Sequence, residues 1–240
     1  MPPENFPTQG HLDEITQWTA TNLMKLNEAK SNYMIFSRGK NKFVTRLGLN
    51  GIKLDQVSTS QLLGIWITED LSWAKNTKEI CKKAFSRISM LSKLKYVGTS
   101  TEDLLDIYAL FIRSCAEYCS VAFHSSLTKN QSLDIVRIQK ISLKIILGEM
   151  YIDYPIALEM TNLKPLFQRR EKKCMDFALK CVRHPKNSRI FPLNPNLFEH
   201  NMEVRERELF KVNFSRTEAY KKSAVPYCQR LLNQHFGDKK

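Results

Sequence analysis

Between Asn76 and Lys95 the chain has one way to bury its apolar side chains. Ile80, Ala84, Ile88, Leu91 and Leu94 recur at spacings of three and four, and Lys78, Lys82, Arg87 and Lys93 occupy the other side. That pattern predicts a long amphipathic helix with one stripe packed and one basic face outward, ended at Gly98. A fold containing it must supply other elements to cover the stripe.

The sequence supplies them. Ser100 with Asp103 forms a capping arrangement ahead of a predicted helix carrying Leu104, Tyr108, Phe111 and Ile112. Thr128 with Gln131 is a capping box opening a helix to Leu147, with Leu133, Val136, Leu143, Ile146 and Leu147 as its apolar set and Gly148 at its end. Residues 151–165 read as a connection with one short helix, and Leu166–Arg183 as a further helix stopped by Pro185. Pro185–Phe198 is extended and rich in Pro and Asn. The apolar clusters Leu209/Phe210/Val212/Phe214 and Val225/Tyr227/Leu231/Leu232 are expected to pack on the rest.

The first seventy residues differ. Leu12, Ile15, Thr19, Leu23 and Leu26 predict a helix over 11–26, and the apolar run Tyr33–Phe36 predicts a strand over 32–37. Arg38-Gly39-Lys40-Asn41-Lys42 reads as a turn. Asn50-Gly51 between Leu47/Leu49 and Ile52/Leu54 is a hairpin signal, and residues 61–68 read as another strand. The expected fold class is α+β, mostly helical. Residues 1–70 carry a helix and a small antiparallel sheet, 71–150 a helical bundle, and 151–240 a basic C-terminal extension.

Charge narrows the partners. The chain carries 37 Lys+Arg against 24 Asp+Glu, a formal +13. The balance is seven against seven in residues 1–70, twelve against seven in 71–150 and eighteen against ten in 151–240. A basic excess confined to the later two-thirds points to a polyanion, of which nucleic acid is the commonest. The region Leu104–Phe123 is broken by Asp106, Arg113 and Glu117, so it is not expected to span a membrane. With no secretory pattern at the start, the six cysteines read as reduced thiols of an intracellular protein, in the nucleus or cytoplasm.

Several chemistries have weak support. Cys174, Cys181 and His184 are spaced too widely for a zinc ribbon or finger, and Cys174, Phe177, Ala178 and Cys181 share a helical face, so core thiols are expected there. Cys115 and Cys119 likewise read as one helical face. No nucleophile elbow or Gly-rich phosphate loop is present. The run Arg169-Arg170-Glu171-Lys172-Lys173 reads as a solvated helix surface or as a localisation or RNA-contact patch. The acidic pairs Asp13-Glu14 and Glu102-Asp103 are expected to open helices, where the dipole favours them.

The order of motifs resembles the reverse transcriptases of non-LTR retrotransposons, of the jockey-like or LINE type. Trp18, Asn22, Met24, Leu26, Asn27, Lys30 and Ser31 are similar to the family's W-x-x-x-N-x-M-x-L-N-x-x-K-[ST], followed by Tyr33-Met34-Ile35-Phe36. Leu63-Gly64-Ile65 resembles its L-G-[IV] strand, with Leu71-Ser72-Trp73 close behind. Arg113, Glu117 and Tyr118 resemble R-x-x-[LM]-E-Y. Gln139 and Ile145-Ile146-Leu147-Gly148 resemble the following Q-to-G helix. Phe214 to Tyr227, with Arg216-Thr217, Tyr220, Ser223 and Pro226, resembles the family's A-R-T-x-x-Y-x-x-S-x-x-P segment. The matches are collinear over about residues 12–232, and it is this order that makes the resemblance specific.

The resemblance implies an RNA-directed DNA polymerase whose palm holds two metal ions on aspartates. None of this chain's acidic pairs (Asp13-Glu14, Glu69-Asp70, Glu102-Asp103) stands in the aromatic-x-Asp-Asp setting the family uses. The chain is therefore expected to be the part after those aspartates, a truncated copy without catalytic residues of its own. Mg²⁺ is expected only for an intact parent polymerase, and no metal or other cofactor in this chain. Residues 1–70 would be a palm remnant and 71–150 a thumb. Lys30 falls on the family's post-catalytic lysine, which would approach the incoming nucleotide's phosphates; read alone it is a surface lysine. Leu63 and Gly64 fall on the hairpin that resembles the primer grip; read alone, Gly64 is a strand glycine at a bulge. Lys78, Lys82, Lys83, Arg87, Lys93 and Lys95 would contact the phosphates of RNA, DNA or an RNA–DNA hybrid without sequence specificity, or form a solvated helix face. No membrane and no small-molecule substrate is expected of the chain on its own. The alternative function is that of a non-catalytic nucleic-acid-binding protein derived from an element remnant.

Overall fold

A computed structural model describes residues 7–36, 46–194 and 208–237. The chain divides into two compact units, one up to Asn76 and one from Thr77 onward. It is mostly helical with a few short strands.

The first unit opens with α1 (Pro7–Thr21). The helix stops five residues short of Leu26, the end that periodicity predicts. Leu23 takes a left-handed φ of 57° and is 97% exposed. The Met24 amide reaches back to the Thr19 carbonyl at 2.8 Å, a Schellman-type closure. Asp13 and Glu14 consequently lie in the second turn rather than at the helix start. After a 3₁₀ turn (Glu28–Lys30) come β1 (Asn32–Tyr33), β2 (Gly48–Leu49), β3 (Ile52–Lys53), β4 (Asp55–Gln56), β5 (Thr59–Leu62) and β6 (Ile65–Thr68). The expected single antiparallel sheet is instead three separate pairs, and one of them, β1 with β4, is parallel with Asn32 opposite Asp55. The strand predicted over 32–37 is only two residues long as far as it is described, and the Arg38–Lys42 turn lies outside the described residues.

The Asn50-Gly51 hairpin joins β2 to β3, with φ of 51° and 78° at its two central residues. The single strand predicted over 61–68 is a second tight hairpin, β5–β6, turning at Leu63 (φ 48°) and Gly64 (φ 86°). Gly64 is therefore a turn residue and not a bulge within a strand. Leu47, Leu49 and Leu54 form the small core of this unit, with Leu12, Leu26 and Tyr33 packed against it.

The second unit takes most of α2 (Ala74–Tyr96), then α3 (Thr101–Ile107), a π turn (Tyr108–Ile112), α4 (Arg113–Glu117), α5 (Ser120–Phe123), α6 (Lys129–Leu147), α7 (Tyr154–Met160), α8 (Leu166–Arg183), α9 (Glu218–Lys221) and α10 (Ala224–Gly237). The predicted stripe of α2 is buried at Ala84, Ile88 and Leu91. Gly98, at φ 87°, follows its end. Ser100 caps α3 through the Asp103 amide at 3.1 Å, and both bonds of the Thr128/Gln131 capping box are made.

Two helical registers depart from expectation. In the π turn an added residue rotates the chain, so that Tyr108 and Ile112 stay in the core while Phe111 turns outward, 52% exposed. The next helix ends at Glu117, and Cys119 adopts a left-handed φ of 49°. Cys115 is thereby buried and Cys119 exposed, so the two do not share a helical face. On α6, Leu133 is exposed and Ile135 and Ile138 take the core positions.

Segments on either side of residue 150 share cores. Leu143 and Leu147 of α6 pack with Ala157 of α7. Cys174, Ala178 and Cys181 of α8 pack with Phe191, Phe210, Cys228 and Leu232, which anchors the C-terminal clusters as their composition suggests. Phe177, predicted on the same face, is 41% exposed.

Candidate nucleic-acid interface

The six cations on α2 do not form one surface. At about 100° per residue, Lys78, Lys82 and Lys93 fall within roughly 60° of one another, on the side opposite Ala84 and Leu91. All three are exposed. A rise of about 1.5 Å per residue puts Lys82 about 6 Å beyond Lys78 and Lys93 about 16 Å farther along. Lys83 is exposed on the flank of this row. Lys95 is half-buried and points toward the packed side. Arg87 is half-buried too, and its guanidinium donates to the carbonyl of Phe111, the residue that the π turn rotates out. Arg87 is thus a strut between α2 and the π turn, and sequence spacing alone could not distinguish it from a free cation.

The remaining expected sites belong to the first unit. Lys30 is exposed and ends the 3₁₀ turn, whose N-cap is Asn27: the Lys30 amide donates to Asn27 Oδ1 at 3.0 Å, and Ser31 Oγ donates to the Asn27 carbonyl at 2.8 Å. The Glu28 carboxylate accepts from Asn50 Nδ2 at 2.6 Å, tying this turn to the β2–β3 hairpin and, with the turn's own amide, holding the carboxyl below its usual range. Leu63 and Gly64 form the tip of the β5–β6 hairpin, with Leu63 83% exposed.

The basic run on α8 is split: Arg169 and Arg170 turn inward, unlike a solvated surface, while Lys172 and Lys173 are exposed. Glu117, 6% exposed, receives Arg169 on both oxygens, Nη2 at 3.2 Å and Nε closer, together with Lys173 Nζ at 3.0 Å and Arg113 Nε at 3.9 Å. Burial pushes the Glu117 carboxyl up, but the bonds from Arg169 and Lys173 and their charges outweigh it, and the net shift is downward. Donating to Glu117 raises Arg169 in turn. Arg170 is fully buried. Its Nε donates to His124 Nδ1 at 3.4 Å, and both terminal amino groups have no acceptor in the protein. Lys172 is exposed and pairs with Asp176 at 3.0 Å.

His124 is 5% exposed, its ring 4.9 Å from Phe167 and 5.9 Å from Tyr227. Burial, helped by the positive charge of Arg170, lowers its pKa to about 4. The ring is therefore neutral at pH 7, and with Nδ1 accepting, the proton sits on Nε2. Gln139, fully buried, accepts from Tyr154 OH at 2.7 Å and the Leu166 amide at 3.0 Å and donates to the Lys164 carbonyl at 3.2 Å. Of these buried polar residues, Glu117 and Gln139 stand at family-like motif positions, and Glu117 is also spaced i,i+4 from Arg113; nothing in the sequence marks His124. Arg169 and Arg170 were visible only as undifferentiated charge.

Among the described residues no group of three His, Cys, Asp or Glu could hold a metal ion, and no helix is long and apolar enough to cross a membrane. Cys174, Cys181 and Cys228 are core thiols; burial pushes Cys174 up to about 11 and Cys228 up to about 12. Comparison with protein-family models, with curated proteins and with solved structures finds no match in any of the three.

Proposed function

We propose that this chain binds the sugar–phosphate backbone of a template–primer duplex, as the part of a non-LTR retrotransposon reverse transcriptase that follows the catalytic aspartates. In this reading residues 1–70 are a palm remnant, residues 71–150 act as a thumb and residues 151–240 are a basic C-terminal extension, and the protein works in the nucleus or cytoplasm. The observation that carries it is the row of Lys78, Lys82 and Lys93 on the outer face of a 23-residue helix that holds seven Lys/Arg against one Glu. Ammonium groups on flexible stems along a rigid rod suit repeated phosphates and read no sequence. Arg87 is removed from the proposed contact set by its bond to Phe111. Polymerisation is not proposed for this chain, because carboxylates of its acidic pairs are spent on local structure: Asp103 accepts from the hydroxyl of Ser100, the α3 cap, at 2.6 Å, and Asp70 accepts from the Ser72 amide at 2.9 Å.

The test is binding to a labelled RNA–DNA hybrid across a salt series. Changing Lys78, Lys82 and Lys93 together to Ala is expected to reduce the slope of log K against log salt by about 2.7, three phosphate contacts at about 0.9 each. Unrelated hybrid sequences are expected to bind alike. An unchanged slope, or extension of a primed RNA template by the purified chain with Mg²⁺ and deoxynucleotides, refutes the reading.

A further inference from the structure

A pocket of about 440 Å³ opens in the second unit beside the start of α6. Its volume lies within the range of small-molecule sites, about 300–1,000 Å³. One wall is aromatic: Phe167 and Tyr227 line it, with the His124 ring packed against both. The Tyr227 hydroxyl is already committed to Glu171 Oε1 at 3.0 Å, so what Tyr227 offers an occupant is its ring. The polar part of the lining comes from Ser125, Thr128, Lys129 and Ser132, beside Leu127 and Leu133.

Three observations give that polar side a sign. No carboxylate lines the pocket among the described residues, whereas Lys129 does. The pocket lies at the N-terminus of a 19-residue helix. Thr128 takes the Gln131 amide at 3.2 Å, but the amides of Lys129 and Asn130 have no acceptor within the helix. Finally, Ser125 Oγ is buried without a hydrogen-bond partner in the protein, and behind His124 stands Arg170, fully buried with two unpaired amino groups. A buried hydroxyl left unpaired is destabilising, and an occupant's oxygen accepting from it would remove that cost. Positive potential, a hydroxyl seeking a partner and a ring-lined wall together define an occupant with a planar ring at one end and an anionic oxygen cluster at the other.

We propose that this pocket binds a nucleoside monophosphate unit, its base against Phe167 and Tyr227 and its phosphate at Ser125, Lys129 and the first amides of α6. The same chemistry could arrive as a free mononucleotide or as an unpaired nucleotide of a single strand. The pocket shares no residue with the α2 lysines, so it stands apart from duplex binding.

The experiment is equilibrium dialysis of the full chain against labelled adenosine monophosphate, with adenosine and inorganic phosphate as separate probes. Adenosine monophosphate is expected to saturate one site, and each half-ligand to bind at least about tenfold more weakly. Phe167→Ala and Lys129→Ala are each expected to weaken binding about tenfold, since one removes a ring wall and the other the only lining charge. Both side chains are substantially exposed, so the variants should keep the melting temperature of the parent, and Lys129→Arg should restore binding. Competition by a short single-stranded oligonucleotide identifies a strand as the source, and its failure to compete identifies the free nucleotide; both uphold the site. Phosphate binding as tightly as the nucleotide, absence of saturable binding, or indifference to both substitutions overturns it. The Lys78/Lys82/Lys93 variant is expected to bind adenosine monophosphate normally, which separates a failure here from a failure of the duplex-binding proposal.

Discussion

Replacing Glu117 by Gln tests whether the charge cluster on α4 and α8 holds the second unit together. The carboxylate is 6% exposed and takes two bonds from Arg169 and one from Lys173. Removing one partner of a fully buried pair costs about 3–5 kcal/mol. Here the cations keep access to water, with 30% of the Arg169 and 44% of the Lys173 side chain exposed, so part of that cost is recovered by hydration. Gln retains one acceptor oxygen but turns an amide donor toward the guanidinium. Together these place the loss at about 2 kcal/mol, or a fall in melting temperature of about 4–8 °C for a unit of this size. Urea unfolding at pH 7 measures it. The loss must also depend on pH in a definite direction. The folded carboxyl lies below its ordinary 4.5, so its contribution is complete above that value and is lost as pH falls through the folded pKa. Parent and variant curves should converge in acid. A difference below about 0.5 kcal/mol at pH 7, within the range of ordinary surface substitutions, or one that persists unchanged into acid, refutes the assignment of Glu117 as a structural anion.

Two further outcomes follow from backbone and burial. His124, lowered from 6.5 to about 4, binds its proton more readily unfolded than folded, so its contribution is full above pH 6.5 and declines as pH falls toward 4; an imidazole NMR titration with its midpoint near 6.5 would contradict the burial described. Gly64→Ala forces a Cβ into φ 86° at the β5–β6 turn and should destabilise the first unit by about 1 kcal/mol in chemical denaturation, whereas a glycine in an ordinary strand conformation would show no loss or a gain.

The helical part of the fold was legible because its signals are local. The α2 stripe, the Thr128/Gln131 box, the Ser100 cap and the bounds of α8 depend on spacing and capping chemistry within a few residues of each other. What was not legible depends on partners far along the chain. The π turn at Tyr108–Ile112 is chosen by which of its side chains the core accepts, and no local pattern marks it. The Leu63-Gly64 turn hides because leucine is an unusual first residue for a hairpin tip, so a run rich in Leu and Ile reads as one strand. The parallel pairing of β1 with β4 joins residues 23 positions apart around the β2–β3 hairpin. For the candidate site, charge located α2 but could not separate Lys78, Lys82 and Lys93 from Arg87, whose commitment to a carbonyl 24 residues away is a tertiary fact.

Several of the motif residues that carry the family resemblance have structural work in this chain, while others, such as Trp18, Leu63 and Tyr118, are exposed. Leu26 packs on the small core while Asn27 caps the turn that presents Lys30. Arg113 and Glu117 belong to the buried charge cluster. Gln139 satisfies three separate groups at the junction of α6, α7 and α8, and Pro226 is buried at the start of α10. Glu117 and Gln139 tolerate little change, because altering either leaves several partners unsatisfied. A phosphate-tracking lysine on an exposed helix is under no such constraint, since neighbouring positions on the same face can substitute for it. The resemblance therefore rests on residues other than the proposed contacts, and nucleic-acid binding must be measured on the α2 row rather than read from the motifs.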